Sequence, residues 1–162
     1  MIKIIKKIIE EIDSEKQNEK EYFLFHQHKN EKEYFLFHKH RFAHIFSLLQ
    51  KYNNKYLLDI GSFCLHGLLG AYYLGIKNLC GIDLDIFNSF TKKRANKINA
   101  IIKNCNLEKE NIPFYNSSFD TVLLTETLEH FNFHPKKVFE EISRVLKPNG
   151  VIIITTPNLL RL

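Results

Sequence analysis

The chain of 162 residues is short of the features that mark most specialised protein classes. It has three cysteines, Cys64, Cys80 and Cys105. Their odd number and wide spacing give neither a disulfide framework nor a zinc knuckle, so a reducing, cytoplasmic location is expected. No apolar run approaches the roughly 20 residues that span a bilayer, and no transmembrane segment is expected. The amino terminus lacks a compact apolar region followed by a small-residue cleavage site, so no signal peptide is read there. No block of five like charges occurs, and the lysines are scattered. The net charge of +5, with an isoelectric point near 9.0, therefore gives no nucleic-acid partner by itself. What is present, 44% hydrophobic and 25% charged residues, suits one globular domain with a buried core.

The organising stretch is 56–85. Two short apolar runs, 56–60 and 78–82, flank a small-residue segment that reads as a helix of about ten residues. Strand, glycine turn, helix, strand is a βαβ unit with parallel strands, and its ligand crevice lies at their carboxyl ends. Gly61 directly follows the first strand, where a missing side chain lets the backbone turn and a ligand approach. Asp59 sits beside it. Asp83 ends the second strand, where a carboxylate accepts hydrogen bonds from both hydroxyls of a ribose. The three together suggest an adenosine ligand.

Upstream, residues 1–12 place Ile5, Ile8, Ile9 and Ile12 on one helical face, with Lys3, Lys6, Lys7, Glu10 and Glu11 largely off it. A membrane-surface anchor and a helix packed on the domain or on a second subunit both fit. The mixed charges and the lack of Trp or Phe on that face favour the packed helix. A tandem repeat follows, EKEYFLFHQHKN at 19–30 and EKEYFLFHKHRF at 31–42. It supplies two His-x-His pairs, His26 with His28 and His38 with His40, which chelate only from an extended segment. His40 and His44 share a helical face, but no acidic or Cys ligand joins them. One copy is expected to form the helix before the first strand and the other to lengthen it. A twelve-residue insertion turns a helix by about 120°, so the copies cannot use one face for the same packing.

Downstream, Phe42, Ile45, Phe46 and Leu49 continue a helix that Asn53 and Asn54 end. Asp85 suits the cap of a basic helix over 86–98. A third strand is expected at 100–104 and a fourth near 121–124. Pro135 opens a helix with Val138, Ile142 and Val145 inward, which stops at LKPNG, 146–150, before a fifth strand at 151–155. The alternation predicts an α/β fold, a parallel sheet covered on both faces.

LLDIG, GID, SSFDTVLLTETLEHF and LKPNGVIIITTPN, in that order, resemble the successive motifs of class I S-adenosylmethionine-dependent methyltransferases, in their small-molecule and glycan-modifying branch. The likeness covers 41–158. It implies a Rossmann-like, mostly parallel sheet made of the first five strands of that fold, at 41–162, after a helical extension at 1–40. It implies S-adenosyl-L-methionine as cofactor, with Asp59 and Gly61 at its methionine end, Asp83 at the ribose and Asn106 and Leu107 at the adenine. Ser62, Leu84 and Thr125 complete the implied binding set. Strand-end and turn capping is the alternative role for Asp59, Asp83 and Asn106.

His130 is the candidate base for an in-line attack on the sulfonium methyl. Glu126, Glu129 and His130 also resemble the Glu-x-x-Glu-His metal cluster of ubiquinone-biosynthesis O-methyltransferases and small-RNA 2′-O-methyltransferases. Leu-Glu-His is common in relatives without metal, so no metal is assigned. Phe63 and Leu65 stand where the family carries glycines, and crowding of the cofactor is expected from them. The family sheet continues past the fifth strand, so a truncated chain is expected, with an open edge or the amino-terminal helix available for a homodimer. The function implied is methyl transfer to an oxygen or nitrogen of a small-molecule, sugar or lipid-precursor acceptor. A truncated, non-catalytic partner-binding module is the alternative, and RNA as substrate is a third reading.

Overall fold

The computed structural model describes residues 1–15, 30–52, 55–84 and 89–157. The expected break at Asn53 and Asn54, the Asp85 cap and, apart from Asn30, the first repeat copy with His26 and His28 lie outside them.

Helix α1, Ile2–Glu15, forms from the isoleucine stripe, but the inner line runs through Ile4, Ile8 and Ile12, with Ile5 and Ile9 half-buried beside it. The second repeat copy gives α2, Glu31–Phe37, and the first turn of α3, Lys39–Leu49. The two helices meet at His38, whose φ of −93° and ψ of 7° interrupt the helical path. The copy therefore bends into two helices and does not lengthen one. Asn30 caps α2 by accepting a hydrogen bond from the Glu33 amide at 2.9 Å.

The alternating part follows. It comprises β1, Tyr56–Ile60; α4, His66–Tyr73; β2, Asn78–Asp83; α5, Ser89–Lys97; β3, Ile101–Asn104; β4, Phe119–Thr125; α6, Lys136–Val145; and β5, Leu146–Thr155. All five strands are parallel, in the order β3-β2-β1-β4-β5. Asp59 lies opposite Gly81 on one side and Leu123 on the other. The apolar runs 56–60 and 78–82 thus form the central pair that their composition predicts.

Strand alternation sorts the core into two layers. Leu57, Leu79, Leu123 and Ile153 face α1 to α5, whereas Leu58, Ile60, Ile82, Val122 and Leu124 face α6 with Val138, Ile142 and Val145. The LKPNG segment does not stop before the fifth strand. Phe119 pairs with Leu146 while Thr121 pairs with Val151, so the residues between bulge out of the ladder, with Asn149 at φ 64°. Among the described residues no helix is long and apolar enough to cross a membrane.

Candidate functional site

The strand order reverses between β1 and β4, and the crevice at their carboxyl ends is where a βαβ sheet receives a ligand. Gly61 makes the turn out of β1 at φ 76°, and its amide donates to the Ile82 carbonyl at 2.9 Å. A Cβ there would stand 2.1 Å from Thr127 Oγ1, so both the backbone angle and the space require glycine. Thr127 itself lies 3.2 Å from the Ile60 carbonyl and 3.1 Å from that of Thr125, clamping the ends of β1 and β4 together. No spacing in the sequence pointed to Thr127.

Asp59 points to the α4 side of the sheet and is 3% exposed. Gly67 makes room for it, since a Cβ at that position would lie 2.5 Å from Asp59 Oδ2. Its Oδ1 is buried without a hydrogen-bond partner among the described residues. Burial, and secondarily the Asp83 charge, pushes its carboxyl up to about 8. Asp83, at the end of β2, accepts from the Phe63 amide at 2.9 Å and from the Leu84 amide at 2.7 Å, which fixes its carboxylate at the mouth of the crevice.

The other expected cofactor residues spread around this centre. Ser62 is buried, its hydroxyl turned to the Ile82 carbonyl at 3.4 Å and towards Gly81. Leu84 is exposed at the rim. Asn106 accepts from the Glu108 amide through Oδ1 at 3.1 Å, and its own amide donates to Glu110, the geometry of a turn. Leu107 is half-buried on the α6 side, and Thr125 ends β4 opposite Thr155. Phe63 projects to solvent and Leu65, at φ 60°, drops into the α4-side core.

The segment after β4 is not the α-helix that a three-and-four ligand spacing needs. Leu128–His130 is a single 3-10 turn with Glu129 and His130 exposed. Glu126, at φ 51°, forms an ion pair with Arg41 of α3 at 2.7 Å. Among the described residues, metal-ligand proximity occurs instead at Glu31, Cys64 and His66, whose donor atoms lie within 4.8 Å of one another. There Glu31 already accepts from His66 and Arg94, each at 2.7 Å, so its charge is matched internally. Neither arrangement gives a reason to assign a metal.

Residues 58–154 match the family model described as a methyltransferase domain. The chain belongs to this methyltransferase family. The match runs from within β1 to within β5 and takes in every expected site residue. A curated relative, the uncharacterized protein MJ0638 of Methanocaldococcus jannaschii, is 34% identical over 114 residues, covering 68% of this chain and 46% of its own length. The chain spans less than half the length of the curated relatives it matches. Among solved structures, Haemonchus contortus phosphoethanolamine N-methyltransferase 2, in complex with S-adenosyl-L-methionine, aligns with a TM-score of 0.57 and 25% identity over 70% of this chain and 28% of that one. A sarcosine dimethylglycine methyltransferase, so described, from Galdieria sulphuraria aligns with a TM-score of 0.62 at 22% identity over 73% of this chain and 47% of that one, a likeness of fold.

S-adenosyl-L-methionine is the cofactor of this class, and the methyltransferase site fits it on two observations. The Asp59 oxygen Oδ1, near the end of β1, is buried without a partner among the described residues, and a second carboxylate is held at the end of the neighbouring strand.

Proposed function

We propose that this domain binds S-adenosyl-L-methionine across the carboxyl ends of β1, β2 and β4, and that the protein transfers its methyl group to an oxygen or nitrogen of a small-molecule, sugar or lipid-precursor acceptor. The observation that carries this reading is the unpartnered Oδ1 of Asp59. A buried carboxylate oxygen without a partner is costly, and an ammonium group offers it both a hydrogen bond and a countercharge. Gly61 and Ser62 supply the close backbone at the methionine end, and Asp83 with Leu84 receives the ribose. Asn106 and Leu107 border the adenine, and Thr125 lines the floor between β1 and β4. When bound, the cofactor supplies an electrophilic methyl carbon; the protein's part is to hold it in line with the acceptor atom. His130, exposed on the turn after β4, takes the acceptor's proton where one must leave.

Calorimetric titration with S-adenosylmethionine and with S-adenosylhomocysteine tests the reading. Micromolar affinity is expected for both, with loss of at least tenfold in Asp83→Ala. A folded chain that binds neither ligand would sink it. Asp59 adds a pH signature. Its carboxyl is raised in the fold from 3.8 to about 8, so its contribution to stability is full below 3.8 and is lost as pH rises to about 8. Asp59→Asn is therefore expected to raise stability at pH 8 while weakening cofactor binding. His130→Gln should lower turnover and leave cofactor affinity unchanged.

A second reading, a partner-binding module, draws on the outer strand. β5 is an edge of the described sheet, and Ile154 on it is 41% exposed. A homodimer through this edge would double the mass in solution, and Ile154→Lys would return it to that of a single chain.

A further inference from the structure

Helix α2 is seated by a definite set of contacts. Asn30 caps it. Glu31, 3% exposed, is held by His66 Nε2 and Arg94 Nη1, each at 2.7 Å. Lys32 pairs with Asp13 at 2.6 Å. The Tyr34 ring stacks on His66 at 6.0 Å, and the fully buried Phe35 ring lies 4.9 Å from Phe42 and 5.1 Å from His66. His38 closes the helix against Arg41.

Every one of those α2 residues exists twice. NEKEYFLFH occupies 30–38 and, without a single difference, 18–26. The cap, the carboxylate, the lysine and both rings recur as Asn18, Glu19, Lys20, Tyr22 and Phe23. The residues that receive them, Asp13, His66, Arg94 and Phe42, lie outside both segments and occur once. Among the described residues, none of the side-chain contacts named above distinguishes one segment from the other.

We propose that residues 18–26 and 30–38 exchange as the occupant of the α2 seat within one chain. The connections permit both registers. With 30–38 seated, residues 16–29 join Glu15 to Asn30; with 18–26 seated, Lys16 and Gln17 join Glu15 to Asn18 and residues 27–38 lead to α3. The short link has to join the end of α1 to the start of α2, whose acidic side chains meet on one arginine. Arg94 holds Glu15 at 2.5 Å and Glu31 at 2.7 Å, and three extended chain steps reach about 10 Å. Closure entropy changes only with the logarithm of loop length, so neither register is strongly penalised. Helix α3 does not take part. Ile45, Phe46 and Leu49 have Glu33, Tyr34 and Phe37 twelve positions earlier, and a shifted α3 would put a glutamate into the core.

Glu31→Ala, Glu19→Ala and the double variant decide the matter by thermal unfolding, hydrogen exchange and solution mass. Either single change removes one of two equivalent occupants, a factor of two in statistical weight, and is expected to lower the midpoint by less than about 2 °C. In Glu31→Ala, amide protection should pass from 31–37 to 19–25. The double variant leaves Arg94 without its repeat carboxylate in either register and should lose roughly 10 °C. A Glu31→Ala protein as destabilised as the double variant, or unable to fold, would overturn the exchange. So would a Glu31→Ala dimer, which would place the substitute segment in another chain.

Discussion

An arginine ties elements together on each face of the sheet, Arg94 on one and Arg144 on the other, and the two work differently. On the face covered by α1 to α5, Arg94 is fully buried and joins three helices, bonding Glu15 of α1 and Glu31 of α2 from its place on α5. Lys97 and Tyr73 add a second tie through Glu11, at 2.5 Å and 3.1 Å. On the α6 face, Arg144 is 28% exposed at the rim, pairing with Glu141 three residues away and holding the Ile112 and Phe114 carbonyls, both within 2.9 Å. Arg94 is thus a fastener between elements, and Arg144 a local strap on a loop. Burial makes the difference: removing one partner of a sealed pair strands charge in the core, whereas a rim pair exchanges protein contacts for water.

The largest test of that contrast is Arg94→Ala, which strands Glu15 and Glu31. It should cost about 3–5 kcal/mol in urea unfolding. Loss of less than 1 kcal/mol would show that the sealed network contributes no more than a surface pair.

Acid titration comes next. Burial raises the Glu31 carboxyl, but the His66 hydrogen bond and the Arg94 charge outweigh it and hold the group at about 2, against 4.5 when unfolded. With the folded value depressed, its stabilisation is complete above 4.5 and is lost as pH falls from there towards 2, up to about 3 kcal/mol. Because Glu19 can substitute for Glu31, the variant to compare is Glu19→Gln/Glu31→Gln, whose acid limb should flatten over that window. An unchanged limb would remove Glu31 from the acid response.

The smallest expected effect is Arg144→Ala, about 1–2 kcal/mol, with faster hydrogen exchange confined to the 112–116 loop. A global loss as large as that of Arg94→Ala would erase the distinction between the faces.

The strands β1, β2, β4 and β5 were legible because each carries a short apolar run closed by a glycine, an acid or a proline, whereas β3, Ile101–Asn104, has only two apolar residues and no such stop. The periods of α1, α3 and α6 gave their inner faces, with a shift of one position at Ile4. Asp59, Gly61 and Asp83 could be placed at one crevice because strand-end residues of a parallel sheet converge whatever covers it. Contacts between distant helices were not legible. Arg94 and Glu15 stand 79 residues apart in the chain, and nothing local marks a basic residue on α5 as buried. The pair formed by Arg41 and Glu126 is hidden for the same reason. LKPNG reads as a stop because proline and glycine are turn residues, yet a bulge accommodates both within a pairing that Leu146 and Val151 fix from either side.

The ring of Phe46 rests on the bare backbone of Gly70, where a Cβ would fall 1.9 Å from it. This fit between α3 and α4 divides the chain by its tolerance of added length. Residues inserted upstream of Phe42 leave the ring in its slot, and a whole duplicated dodecapeptide is accommodated there. One residue added inside α3, between Phe42 and Phe46, would rotate the helix end by about 100° and withdraw the ring. A library of single-residue insertions should therefore survive across the repeat as far as Phe42 and fail abruptly between Phe42 and Phe46.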